Sequence, residues 1–163
     1  MLQLYWGDGK GKTTAAMGLA LRALGHGQRV SVVQFLKDGT SGEISLLRRC
    51  GATVRACPNA KFTWQMTDAE KTEARANNNA ALQAALAEPF ELLVLDEACA
   101  AVNTDLLPLE DLLACLDSLE CEVVLTGRDP APELMERADY ITSMEAVRHP
   151  FEQGITAREG IEF

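Results

Sequence analysis

The sequence lacks the features that mark several large classes of protein. Its five cysteines are odd in number and form no C-x-x-C pair, which argues against a disulfide framework and a zinc knuckle. No apolar run approaches the roughly 20 residues that span a bilayer, and no cationic segment precedes a hydrophobic stretch at the start, as it does in a signal peptide. We therefore expect a cytoplasmic protein with reduced thiols and no membrane partner.

Positive charge is also scarce. There are 15 Lys and Arg residues against 24 Asp and Glu, for a net charge of −9. Such a surface repels the phosphate backbone, so we expect no nucleic-acid partner, and an anionic ligand would need a local concentration of positive charge. The chain has 163 residues, of which 47% are hydrophobic and 24% charged, and this excludes disorder and predicts a single domain over 1–163.

Short apolar segments alternate with segments of helical periodicity along the chain. The predicted strands are 2–6, 30–35, 53–56, 92–95, 122–125 and 140–142. Helices are predicted from residue 12 to the glycines at 25 and 27, over 43–50, from a capping box at 67–70 to before Pro89, over 108–118, and over 131–138. This alternation predicts an α/β fold with a mostly parallel sheet and helices on both faces.

The first predicted strand runs into a glycine-rich loop. Its sequence is Gly7-Asp8-Gly9-Lys10-Gly11-Lys12-Thr13-Thr14, and the core Gly11-Lys12-Thr13 matches a phosphate loop. Glycines let backbone N–H groups point inward, and the following helix adds its positive N-terminal end. Lys12 supplies a point charge and Lys10 a second one, while the Thr13 hydroxyl can ligate Mg²⁺. The pattern predicts a P-loop NTPase-like fold that binds a nucleotide through 7–14, although Trp6 stands where a phosphate loop normally has its first glycine.

Other candidate ligands follow later strands. Asp96 and Glu97 come directly after the apolar segment 92–95, an arrangement that places carboxylates beside a phosphate-loop magnesium. We therefore predict a metal site made of Thr13, Asp96 and Glu97. Arg128 also follows a strand end, and Arg22 lies ten residues beyond Lys12 on the same helix; each fits either a nucleotide contact or a structural ion pair.

Two large aromatic residues, Phe62 and Trp64, stand in a polar loop with no strand alternation around them. Packing into the core is one interpretation. The other is contact with a large, flat, partly apolar second substrate beside the nucleotide.

These residues together resemble the P-loop ATP:corrinoid adenosyltransferase family, also called cob(I)alamin or cob(I)yrinic acid a,c-diamide adenosyltransferases. The resemblance runs over essentially the whole chain. It rests on these blocks: 7–16, Arg22-Ala23, Gly25-His26-Gly27, Val33-Gln34-Phe35-Leu36-Lys37, Phe62-Thr63-Trp64, Val94-Leu95-Asp96-Glu97, Leu125-Thr126-Gly127-Arg128, and His149-Pro150-Phe151 through Gly160-Ile161-Glu162. Two positions depart from the family, which more usually has a small hydroxyl residue in place of Trp6 and Asn in place of Asp8.

The resemblance implies transfer of the 5′-deoxyadenosyl group of ATP to a cob(I) corrinoid, with release of tripolyphosphate, in adenosylcobalamin biosynthesis or salvage. Cobalt is then the nucleophile, so no Ser, Cys or His nucleophile is needed. It also implies that ATP lies in the loop in an orientation reversed relative to nucleotide hydrolases. A homodimer and a flavin-dependent protein that supplies the reduced corrinoid are further family expectations.

The resemblance assigns roles to the residues already singled out. Lys12 and Glu97 are the implied catalytic residues, with Thr13 and Glu97 serving Mg²⁺ and Asp96 supporting them. Arg22 would contact ATP, and Phe62 and Trp64 would approach the corrin.

Two other functions fit the phosphate loop. A P-loop ATPase or small-molecule kinase would act at the γ-phosphate, with Glu97 orienting water or an acceptor hydroxyl. A non-catalytic nucleotide-binding module would instead use Phe62 and Trp64 to contact a protein.

Overall fold

A six-stranded parallel sheet forms the centre of the molecule in the computed structural model, which describes residues 1–57 and 63–161. The strands are β1 (Leu2–Trp6), β2 (Val30–Gln34), β3 (Thr53–Ala56), β4 (Leu92–Asp96), β5 (Glu122–Gly127) and β6 (Tyr140–Ser143). Their order across the sheet is β3-β2-β4-β5-β1-β6, and all five neighbouring pairs are parallel. The predicted α/β class is therefore confirmed.

Helices connect the strands. They are α1 (Lys12–Gly25), α2 (Gly42–Arg49), α3 (Asp68–Leu86), α4 (Ala98–Asn103), α5 (Leu109–Asp117) and α6 (Pro132–Arg137), with 3-10 turns at Thr63–Gln65 and Pro150–Gln153. The short helix α4 was not predicted, because six residues without a capping side chain show no helical period. The other helices agree with the predicted ranges to within a residue or two at each end. None of the helices in the described ranges combines the length and the apolar character needed to cross a bilayer.

Local sequence explains the boundaries of α3. The Thr67 side chain accepts a hydrogen bond from the Glu70 backbone N–H, and the Glu70 carboxylate accepts one from the Thr67 backbone N–H at 2.8 Å. This reciprocal capping box satisfies two donors at the start of the helix. The helix ends at Leu86, before Pro89, because the residue that precedes a proline disfavours helical geometry.

The sheet separates two hydrophobic cores. Along β4, Leu93 and Leu95 pack into one core, whereas Leu92 and Val94 pack into the other, since successive side chains of a strand point to opposite faces. The first core includes side chains from α3, α5 and α6, and the second includes side chains from α1 and α2. All of β2 and β4 is buried, as expected for central strands covered on both faces.

The strand registers bring polar residues to one edge of the sheet. Gln34 pairs with Asp96 across β2 and β4, and Trp6 pairs with Gly127 across β1 and β5. All these strands end at the same carboxyl edge, which is where ligands bind in open parallel sheets.

Candidate active site

The glycine-rich loop joins β1 to α1 and wraps around the Lys12 ammonium group. Gly7 and Gly11 have φ values of 112° and 118°, a region that residues with a Cβ rarely adopt. Lys12 is the first residue of α1 and is 9% exposed. Its Nζ donates hydrogen bonds to the carbonyl oxygens of Gly7 at 2.5 Å and Gly9 at 2.8 Å. The loop therefore holds a desolvated positive charge at its centre.

The chain that follows β6 crosses this loop. The Gly9 N–H donates to the Met144 carbonyl oxygen at 2.6 Å, and the Met144 N–H donates to the Trp6 carbonyl oxygen at 2.8 Å. A Cβ placed on Gly9 would lie 2.7 Å from backbone atoms of Met144 and Glu145. Glycine at this position thus serves the close approach of two backbones as well as the shape of the loop.

Asp96, the last residue of β4, is fully buried, and its side-chain carboxylate accepts four hydrogen bonds. To Oδ1, the Thr13 hydroxyl donates at 2.8 Å and the Thr126 hydroxyl at 2.7 Å. To Oδ2, Gln34 Nε2 donates at 3.0 Å and Lys37 Nζ at 2.8 Å. These four donors, one of them an ammonium, offset the loss of hydration that otherwise makes a buried carboxylate unfavourable.

Glu97 lies beside this cluster in a left-handed conformation, with φ 59°, and is the residue immediately before α4. Its backbone N–H donates to the Thr126 hydroxyl at 2.9 Å, and its Oε1 is 3.9 Å from Lys37 Nζ. Burial, followed by the neighbouring Asp96 charge, raises the pKa of Glu97, while Lys37, Lys12 and Arg128 oppose that rise.

The three residues predicted to hold a metal therefore gather at one place. Their donors are a hydroxyl and two carboxylates, all hard oxygen ligands of the kind that Mg²⁺ prefers. Within 1–57 and 63–161 there is no group of three or more His, Cys, Asp or Glu side chains that could hold a metal ion. The donor set fits Mg²⁺, which usually keeps water and phosphate oxygens among its ligands and needs few carboxylates.

Further cations surround the loop. Burial, and then the Arg128 charge, lower the pKa of Lys12. Arg128 Nη1 lies 3.5 Å from Asp8 Oδ1 in an exposed ion pair, so the carboxylate in the loop has a cation beside it. Lys10 Nζ donates to the Ile161 carbonyl oxygen at 2.6 Å.

Comparison with known proteins identifies the family. Residues 1–163 match the family described as ATP:corrinoid adenosyltransferase BtuR/CobO/CobP. The chain belongs to this family.

Several relatives of the chain align with it over most of their length. A corrinoid adenosyltransferase of Pseudomonas aeruginosa is 40% identical over 171 residues, which cover 100% of this chain and 83% of the relative. The corrinoid adenosyltransferase CobA of Salmonella typhimurium is 37% identical, covering 98% of this chain and 84% of the relative. A corrinoid adenosyltransferase of Escherichia coli K12 is 36% identical with the same coverage. The predicted activity is confirmed, and an ATPase or kinase acting at the γ-phosphate is not favoured.

Some residues predicted for the candidate site lie elsewhere or outside the described ranges. Arg22 is exposed in the last turn of α1, about 15 Å along the helix axis from Lys12 at 1.5 Å per residue. Thr14 is exposed in the first turn of the same helix. Phe62 lies outside the described residues, and Trp64 is described only as part of the 3-10 turn Thr63–Gln65. The roles of these residues stay predictions.

Several residues that the structure places at the candidate site were not predicted from the sequence. Lys37, Gln34 and Thr126 all contact Asp96, and Met144 contacts the loop, yet none was assigned a role. Gln34 and Thr126 could have been found, because each is a polar residue at the end of an otherwise apolar strand. Lys37 and Met144 carry no such local signal.

Proposed function

We propose that this adenosyltransferase binds the triphosphate of ATP in the loop 7–14 and uses the polar carboxyl edge of the sheet to stabilise it as the leaving group. The observation that carries the proposal is the 2.8 Å hydrogen bond from Thr13 to Asp96, which joins the phosphate loop to the acidic end of β4. A phosphate loop and an acidic strand end that meet in this way are the two halves of a metal–triphosphate site.

In the proposed reaction the cobalt of a cob(I) corrinoid attacks C5′ of ATP. The cobalt donates an electron pair to form the carbon–cobalt bond, and the C5′–O bond breaks with its pair passing to tripolyphosphate. No proton moves at the reacting carbon, so the protein needs no general base. Its tasks are to align C5′ with cobalt and to stabilise the charge of the departing triphosphate.

Lys12 is suited to the second task. Its ammonium is buried and already aimed at the loop carbonyls, and a charge in such a desolvated place interacts more strongly with phosphate than a charge in water does. Lys10 and the N-terminal N–H groups of α1 add positive potential on the same side. We assign Arg128 and Arg22 to nucleotide contacts as well, with Arg128 the nearer to the loop through its ion pair with Asp8.

Thr13, Asp96 and Glu97 would hold Mg²⁺. When bound, Mg²⁺ neutralises negative charge on the triphosphate oxygens. The fit rests on the oxygen-only donor set and on the Lys37 ammonium, a cation that already lies on oxygens of Thr13 and Asp96. Glu97 contributes its carboxylate from a strained left-handed turn, a backbone conformation typical of functional positions.

The corrinoid half of the site is proposed from the family resemblance alone. Phe62 and Trp64 would contact the corrin, and ATP would lie reversed in the loop so that C5′ is turned towards the cobalt. A single domain over 1–163, a homodimer, a flavin-dependent reductant and a cytoplasmic location complete the proposal.

An anaerobic assay tests this function. The protein is mixed with chemically reduced cobalamin, ATP and Mg²⁺, the corrinoid spectrum is followed, and phosphate and tripolyphosphate are measured in the same tube. We expect adenosylcobalamin and tripolyphosphate in equal amounts. The Lys12→Met variant should lose most of this turnover, whereas Lys71→Met, which removes an exposed charge on α3, should retain it. Orthophosphate without a carbon–cobalt product would contradict the proposal.

A further inference from the structure

The Lys37 ammonium lies among the oxygens predicted to bind the metal. Its Nζ is 2.8 Å from Asp96 Oδ2, 3.2 Å from Thr13 Oγ1 and 3.9 Å from Glu97 Oε1. These are the three residues of the candidate metal site, and the same ammonium touches or approaches each of them. Lys37 therefore provides positive charge at the place where a divalent cation would provide it.

The backbone before Lys37 directs it there. Strand β2 ends at Gln34, and Leu36 then adopts φ 58°. This left-handed conformation is unfavourable for a residue with a Cβ. A strained turn persists only where the surrounding structure requires it. The turn between β2 and Lys37 thus brings the Lys37 side chain over the end of β4.

All the hydrogen-bond acceptor sites of the Asp96 carboxylate are occupied. A carboxylate offers about four lone-pair sites, and Asp96 uses them for Thr13, Thr126, Gln34 and Lys37. A metal ion that takes Asp96 as a ligand must displace one of these donors. Gln34 and Thr126 are buried strand residues, whereas the Lys37 side chain is 32% exposed and follows a turn. Lys37 is therefore the donor that can leave.

Thr13 leads to the same conclusion. Its hydroxyl proton is donated to Asp96, and its oxygen accepts from Lys37. A hydroxyl oxygen has two lone pairs, so a cation that ligates Thr13 through the second one would lie beside the Lys37 ammonium. An ammonium and a divalent ion would also repel each other strongly if both lay on these oxygens.

We propose that Lys37 is a resident counter-ion of the metal site and that a divalent cation binds by exchange with its ammonium group. The exchange rests on the metal assignment made under Proposed function. Before the metal binds, the Lys37 ammonium neutralises the charge of the buried Asp96 carboxylate. The protein then binds free metal ions weakly, because the conformation that can bind a metal ion is populated only when the ammonium has moved away. Lys37 is thus a positioning residue that sets the metal requirement.

Direct metal binding tests the exchange without any turnover. Mn²⁺ alone is titrated into the nucleotide-free protein, and the free ion is measured by electron paramagnetic resonance. We expect Lys37→Met to bind Mn²⁺ about tenfold or more tightly than the unmodified protein, since the competing ammonium is gone. Lys71→Met is the matched control, because it also raises the net negative charge by one but lies on the exposed surface of α3. Its affinity should remain that of the unmodified protein.

The outcomes separate the two assignments. Equal Mn²⁺ affinity in Lys37→Met and the unmodified protein, or weaker binding in Lys37→Met, would overturn the exchange and leave the metal site standing. No stoichiometric Mn²⁺ binding in either nucleotide-free protein would overturn the exchange, whereas the metal assignment, in which triphosphate oxygens are also ligands, and adenosyl transfer would still be tested by the anaerobic assay.

Two further variants keep the test decisive if Lys37→Met does not fold. Lys37→Gln can keep one hydrogen bond to Asp96 but carries no charge, so it should show the same tighter Mn²⁺ binding. Lys37→Arg keeps the charge and should remain a weak binder. Tight binding by Lys37→Arg, or weak binding by Lys37→Gln, would contradict a competition that depends on charge.

Discussion

The hydroxyl oxygen of Thr13 lies 2.8 Å from Oδ1 of Asp96, although the two residues are 83 positions apart in the sequence. Thr13 is in the first turn of α1 and Asp96 is the last residue of β4. The contact couples the phosphate loop to the sheet edge, because a shift of either element would break a hydrogen bond to a buried carboxylate. Loss of such a charge-assisted bond is unfavourable by roughly 1.5–3 kcal/mol.

Removal of the Thr13 hydroxyl should weaken nucleotide binding. Thr13→Val keeps the size of the side chain but removes both the bond to Asp96 and one candidate metal ligand. We expect the affinity for ATP with Mg²⁺ to fall by about 10- to 100-fold, measured by isothermal titration calorimetry. Thr72→Val is the control, since the Thr72 hydroxyl donates to the Asp68 carbonyl of its own helix. Unchanged affinity in Thr13→Val would contradict the role given to the contact.

Alanine substitutions of two glycines test how much the close contact between the glycine-rich loop and the chain after β6 matters for stability. Gly9→Ala would place a Cβ 2.7 Å from backbone atoms of Met144 and Glu145, so we expect it to destabilise the protein by roughly 1–3 kcal/mol. Gly18→Ala, in the interior of α1 with nothing within 4 Å of its added Cβ, should instead stabilise the protein by about 0.5–1 kcal/mol. Urea unfolding of both variants measures the two effects. A Gly9→Ala variant as stable as the unmodified protein would show that the close approach to Met144 is unimportant.

Trp64 should separate corrinoid turnover from ATP binding. We expect Trp64→Ala to lose corrinoid adenosylation, because a large aromatic ring that contacts a flat apolar macrocycle cannot be replaced by a methyl group. ATP binding by the same variant should be retained, and this serves as the internal control. Adenosylcobalamin formation is followed spectroscopically under anaerobic conditions. Full turnover by Trp64→Ala would rule out the role assigned to this residue.

The five thiols should differ sharply in reactivity. Burial raises the pKa of Cys57 and Cys115 to about 11 and that of Cys99 to about 12. At pH 8 the reactive thiolate of each is then about a thousandth of the total or less. Cys50 is exposed, and Cys121 is half-buried with a pKa that burial also raises.

Iodoacetamide should therefore modify Cys50 first and Cys121 more slowly. Cys57, Cys99 and Cys115 should react only after unfolding. Mass spectrometry over pH 7 to pH 9 gives the order, and every rate should rise with pH because the thiolate is the attacking form. The Cys50→Ser variant, which lacks the cysteine expected to react fastest, is the matched control. Labelling of Cys99 as fast as Cys50 in the folded protein would contradict the burial argument.

Much of the fold could be predicted because its signals are local. The glycines that end β1, the capping box at Thr67 and the apolar segment before Asp96 each depend on a few neighbouring residues. The candidate phosphate and metal ligands were found in the same way, since the residue types and their place after a strand indicate their chemistry. Helix α4 was not predicted, because its six residues are too few to show a helical periodicity of apolar side chains.

The sequence by itself determined the alternation of strands and helices, the phosphate loop, and the acidic pair at the end of β4. Only the tertiary structure decided that Lys37 reaches Asp96, that Met144 crosses Gly9, and that Arg128 pairs with Asp8. The reason is strand order. β4 lies between β2 and β5, and β6 lies beside β1, so residues far apart along the chain meet at one edge. No local pattern encodes that order, because it arises from how the hydrophobic faces of separate elements pack together.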